Sequence, residues 1–245
     1  MSNVDVSPQL FLPIVAILTS ATIGGIVVHF SPVTPRMAVP VIIVCYMFLG
    51  IGLFFTIVIH AHYLYHNFTR GFLDRTRQTA SDVLMIGPLG QAAGGFVLLG
   101  AAAQSQFAEY QRGTFLQATA GSALAAASIM MALLLLGFSF VLALTVFTFL
   151  LENVRRWKFN IGWWTLIFPV GIVPFRTRLM IAVNVNALIA LSTAMDSPAF
   201  RVLATALTIL LVLAWLVLTP LTLFNLRSLL KIPEVRKKSH GNTSV

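Results

Sequence analysis

The stretch Trp163-Trp164-Thr165-Leu166-Ile167-Phe168-Pro169-Val170-Gly171-Ile172-Val173-Pro174, continued by Phe175-Arg176-Thr177-Arg178, is uncharged up to its arginines and is interrupted by two prolines and a glycine. A proline removes a backbone donor and frees a carbonyl in the preceding turn, and hydrocarbon offers neither a partner. A helix of this composition is therefore expected to be sheltered by protein or to line water. Arginines about a dozen residues into an apolar run are costly against lipid, so their expected place is a polar pathway.

On a helix advancing about 100° per residue, Trp164, Phe168, Gly171, Phe175 and Arg178 fall within an arc of about 80°. One face thus carries aromatic rings and a cation. Beside a passage, a ring forms an apolar constriction that gates by excluding water, and a guanidinium selects anions because it stays charged. Arg176 and Arg178 stand two residues apart and do not share that face, which leaves Arg178 for the passage. The plainer readings are helix packing for Phe168 and Phe175 and snorkelling to outer headgroups for both arginines.

Outward from this stretch, the 245-residue chain is 58% hydrophobic and 9% charged, with a mean hydropathy of +0.91. An ordinary soluble domain carries about 25% charge, so this composition reads as a polytopic membrane protein. The first segment, Met1-Ser2-Asn3-Val4-Asp5, has no basic n-region, and no cleavable signal peptide is expected. Cys45 is the one cysteine and reads as a small buried hydrophobe. A net charge of +9 without a soluble basic domain points to topology, anionic lipid and anionic solutes rather than to nucleic acid.

Apolar segments at roughly 10–29, 40–65, 82–104, 120–150, 161–182 and 199–226 are each long enough to cross about 30 Å of hydrocarbon. Six transmembrane helices in one domain over 1–230 are expected, with a basic, disordered tail over 231–245. Eleven Lys and Arg residues lie in the second and fourth connections and the tail, against Arg36, Arg112 and Arg201 in the others, which places both termini in the cytoplasm. Between the second and third spans, His66 to Arg77 reads either as an amphipathic piece on the inner leaflet or as a solvated loop.

Interruptions alternate along the chain. The first, third and fifth spans carry Gly24-Gly25, then Gly87-Pro88, Gly90 and Gly94-Gly95, then Pro169, Gly171 and Pro174, while the others are smooth, as in Leu133 to Leu136. Small residues allow close backbone approach or leave room for a passage, and uninterrupted Leu and Ile suit lipid. The chain reads as three hairpins, each pairing an inner helix with an outer one. Gly87, Gly90 and Gly94 recur on one face of the third span beside Gln91, whose amide suits either a partly dehydrated anion or an interhelical hydrogen bond. Asp82 reads as an N-cap at the membrane edge.

His62 and His66 are one helical turn apart, with His60 nearby, but no further ligand accompanies them and no metal is expected. No phosphate-binding loop, dinucleotide fingerprint, nucleophile elbow or paired carboxylate occurs, so no catalytic residue and no cofactor are assigned.

The run Trp163-Trp164 through Phe168-Pro169 to Gly171 resembles the ninth helix of the tellurite-resistance/dicarboxylate transporter family, the voltage-dependent anion channel and malate transporter type. Phe11 to Ala16 with Gly24-Gly25 resembles the start of that family's fifth helix, and Gly87-Pro88-Leu89-Gly90-Gln91 resembles the seventh helix of its fungal sulfite-pump branch. The resemblance covers nearly the whole chain and implies the last three of the family's five inner/outer hairpins, with the four preceding helices missing. It implies an all-α membrane fold, a pore between inner helices, and transport of a small anion, sulfite first and a dicarboxylate such as malate as the alternative. It further implies a homotrimer in the plasma membrane. Phe168 matches the phenylalanine that plugs the family's pore, and Phe175 is a second candidate. The competing expectation is a non-transporting interaction subunit, since four family helices are lacking.

Overall fold

The structure, a computed structural model, describes residues 10–70, 84–152 and 183–229. Among the described residues, six helices follow one another: α1 (Phe11–Phe30), α2 (Pro35–Arg70), α3 (Ile86–Tyr110), α4 (Ala118–Glu152), α5 (Val183–Ala194) and α6 (Pro198–Leu229). Among the described residues there is no strand, only an isolated bridge between Arg112 and Leu116. All helices except α5 are long and apolar enough to cross a membrane, and the chain has an all-α membrane architecture.

The helices pair through short connections at 31–34, 111–117 and 195–197, so α1 and α2, α3 and α4, and α5 and α6 are consecutive hairpins. Lone arginines mark these ends. Arg36 lies in the first turn of α2, Arg112 follows α3, and Arg201 in the first turn of α6 meets Asp196 at 3.3 Å. Pro13 in the first turn of α1 and Pro35 at the start of α2 occupy positions whose N–H has no helical partner in any case.

The hub is α3, which packs against α1, α2, α4 and α5. Its span is 83% buried, against 28% for α2 and α4 and 17% for α6, so the glycine-rich helix is enclosed and α2, α4 and α6 form the outer surface, although Pro40 and Pro220 interrupt α2 and α6. Composition explains the difference, because a helix whose contact positions are Gly and Ala brings neighbouring backbones close on several sides at once. In α1 the consecutive glycines serve two different neighbours: a Cβ at Gly24 would collide with Sγ of Cys45 on α2, and one at Gly25 would come within 3.3 Å of Leu98 and Leu99 on α3. Cys45 is buried there among Ile14, Leu18, Leu49 and Leu99.

The leucine run on α4 has two sides. Leu134 is 68% exposed, whereas Leu136 is buried with Ala93, Val97 and Leu188 in the core shared by α3, α4, α5 and α6. The segment 161–182 expected as the fifth span lies outside the described residues, and α5 follows it where the sequence suggested a connection. Asp82, the stretch 71–83 and the tail from 230 also lie outside the described residues.

Candidate functional site

Four of the expected site residues, Gly87, Gly90, Gln91 and Gly94, fall in the first turns of α3, and all four are buried. Phe168, Gly171, Phe175 and Arg178 lie outside the described residues. The glycine face meets α5. A Cβ on Gly90 would overlap Oδ1 of Asn184 and stand 2.8 Å from its Cγ and 3.0 Å from its backbone nitrogen, and one on Gly94 would lie 3.6 Å from the backbone nitrogen of Ala187. Gly90 is thus a point of enforced close approach, while Gly94 is in ordinary contact.

On the opposite flank of α3, Gly95 faces Leu49 and Thr22, and Leu99 packs beside Gly25. At about 100° per residue, Gln91 and Gly87 project between these two flanks, into the strip of α3 bounded by α1 and α5. Gln91 is only 7% exposed, and its side-chain amide makes no hydrogen bond to another described residue. Its backbone carbonyl accepts a hydrogen bond at 3.3 Å from the Thr22 hydroxyl, which also donates to Leu18 on its own helix at 2.9 Å. The Ser139 hydroxyl of α4 donates to Oδ1 of Asn184 at 3.1 Å.

Hydroxyls and amides from four helices therefore meet at one level, around Gly90 and Gln91. The buried polar side chains among the described residues are Thr22, Thr56, His60, Gln91, Ser128, Ser139 and Ser192, and none carries a fixed charge. The hydroxyls of Thr22, Thr56, Ser139 and Ser192 donate within the protein, to Leu18 and Gln91, Gly52, Asn184 and Ile189. Thr22, Ser139 and Asn184 were not singled out from the sequence. The available signal was a pair of amides, Asn184 and Asn186, close after the Phe168 to Arg178 stretch in an otherwise apolar run.

The histidines separate. His60 is buried, with Nδ1 at 2.7 Å from the Thr56 carbonyl and Nε2 at 2.9 Å from that of Met85, whereas His62 is exposed. Among the described residues, no three His, Cys, Asp or Glu side chains come together as a metal site.

Comparison with known proteins places these features in a family. The sulfite efflux pump of Arthroderma benhamiae is 30% identical over 215 residues, covering 87% of this chain and 52% of that protein. The sulfite efflux pump of Trichophyton rubrum matches over the same extent at the same identity. The chain spans about half the length of the curated relatives it matches. No solved structure matches. Residues 2–223 match the voltage-dependent anion channel family. With its buried glycine helix enclosed by exposed apolar helices, this integral membrane protein belongs to the voltage-dependent anion channel family.

Proposed function

We propose that this chain conducts a small anion across a membrane, sulfite first among the candidates, along the strip of α3 that carries Gly87 and Gln91 between α1 and α5. The observation that carries this reading is the match to sulfite efflux pumps over 87% of the chain. The same strip carries a buried amide free of described partners, which supports it further. Phe168 acts as the gate and Phe175 as a lesser constriction, while Gly171 leaves room beside them and Arg178 draws anions toward the path. The protein works as a homotrimer in contact with lipid in the plasma membrane, with both termini in the cytoplasm. Expression in cells deprived of their own sulfite efflux tests the function: restored growth on sulfite supports it, and growth no better than with an empty vector contradicts it.

A second reading is favoured by one observation, the span of about half of each relative. On that reading the chain is an interaction subunit whose apolar flanks dock a membrane partner. Flux by the purified chain alone separates the two.

A further inference from the structure

We propose that His60 is a proton-binding site between α2 and the start of α3: its ring takes a second proton from water, bonds both carbonyls that face it, and so fixes the first turns of the central helix in a pH-dependent way. The proton site stands on its own geometry, and only its effect on flux rests on the transport reading above.

Nδ1 of His60 lies 2.7 Å from the Thr56 carbonyl oxygen, one turn back on α2, and Nε2 lies 2.9 Å from the carbonyl oxygen of Met85, the N-cap residue of α3. Both are hydrogen-bond lengths, and both partners can only accept. A neutral imidazole has one N–H, so it serves one carbonyl and turns a lone pair toward the other. The imidazolium has two N–H groups and serves both. The pair of acceptors is therefore matched to the doubly protonated ring.

The neighbours of the ring leave its own proton as the variable charge. Phe11 faces it from α1 and Phe138 from α4, at centroid distances of 4.8 and 5.8 Å, and the α3 side presents Met85; none of these titrates. Tyr63 of α2 packs in the same cluster and stays neutral below about pH 10. Among the described residues, no carboxylate, lysine or arginine meets the ring. Burial opposes the charge, whereas two carbonyl dipoles in a water-poor setting favour it. This opposition lets the proton come and go within the working range of histidine, about pH 5–8.

The consequence reaches the path through one peptide unit. Met85 leads directly into Ile86 and Gly87, and Gly90 stands against Asn184 of α5 one turn further on. With two protons the ring holds the Met85 carbonyl to α2 continuously. With one, it serves a single carbonyl at a time, and the start of α3 is held only part of the time. The added proton also puts a positive charge beside the first turns of α3, which lowers the cost of an anion nearby. Both effects raise anion flux as pH falls.

The test uses the full chain. In detergent, nitrogen-15 NMR of the histidine rings follows the proton itself, and carbon-13 in the methionine carbonyls identifies His60 as the ring bonded to Met85. That ring is expected to pass from one protonated nitrogen to two as pH is lowered from about 8 to about 5. In liposomes, chloride flux is compared at about pH 5.5 and about pH 7.5, since the charge of chloride is the same at both. Wild-type flux is expected to be severalfold higher at the lower pH. His60→Gln keeps one donor but binds no proton, and its ratio is expected to be near one, a change that a purely structural role does not produce. A His60 ring that keeps a single proton throughout would overturn the proposal, whether or not the variant folds. A titrating ring with a wild-type flux ratio near one, or with the same ratio in His60→Gln, overturns its hold on the path. If the variant does not fold, wild-type flux that fails to follow the titration of the ring does the same. A titrating ring in a wild-type chain without flux at either pH upholds the proton site and removes the transport reading.

Discussion

His60 on α2 places its Nε2 2.9 Å from the carbonyl oxygen of Met85, the residue that precedes α3, so an outer helix holds the start of the central one. His60 is 2% exposed and its ring lies tilted against Phe11 and Phe138, at centroid distances of 4.8 and 5.8 Å. Replacing it with Phe keeps the volume but leaves the Met85 carbonyl buried without this partner. As the N-cap residue of α3, Met85 keeps an intrahelical bond to its carbonyl, so His60→Phe is expected to destabilise the folded protein by about 0.5–1.5 kcal/mol, the usual net worth of one hydrogen bond. His60→Gln, which retains a donor, should recover part of it. Thermal unfolding in detergent checks this, and a Phe variant as stable as wild type would show that the bond does not secure α3.

Gly90 and Gly94 look equivalent in sequence but not in the packing. Gly90→Ala forces a Cβ into Asn184, with the backbone nitrogen 3.0 Å away, so α5 itself must shift, whereas Gly94→Ala meets only contacts of 3.6 Å and beyond. The first substitution is expected to cost about 1–3 kcal/mol, as overpacking does, and the second under about 1 kcal/mol. Equal unfolding temperatures for the two variants would contradict the close approach of α3 to α5.

This pair also shows how much of the site was legible in the sequence. The glycines of α3 recur with helical period, which marks one face of that helix as enclosed from the residue pattern alone. Their partner carries no such mark. Asn184, Asn186, Ser192 and Thr193 lower the hydropathy of 183–194, and a 12-residue helix is too short for a criterion based on bilayer thickness, so α5 passed for a connection. Ser139 escaped notice because a hydroxyl in an apolar helix usually bonds back to its own helix, as Thr145 does to Val141 at 2.9 Å. The run Leu133 to Leu136 carries no period, so nothing in it indicated that Leu134 would face outward and Leu136 inward.

Phe168 is proposed as the gate of the path because Pro169, next to it in sequence, relaxes helical regularity and would let the ring change rotamer without moving a packed helix. Phe168→Ala is expected to raise anion flux per folded molecule, and Phe175→Ala to raise it less. A packing role gives the opposite sign, because losing a buried Phe costs about 3–5 kcal/mol in soluble cores and lowers folded protein and flux together. Flux normalised to folded protein decides, and an unchanged or lower value for Phe168→Ala removes the gate.

On the topology proposed from the basic asymmetry of the connections, both termini face the cytoplasm. An epitope beside Lys237-Lys238 is expected to be protected in intact cells and accessible after permeabilisation. Labelling of intact cells would invert the topology.

Release of sulfite from liposomes containing only the purified 245-residue chain tests the transport reading most directly. The expected result is protein-dependent efflux well above that of protein-free liposomes, scaling with the amount of chain inserted. Efflux equal to that of protein-free liposomes, from a chain that circular dichroism shows to be inserted and helical, would contradict it.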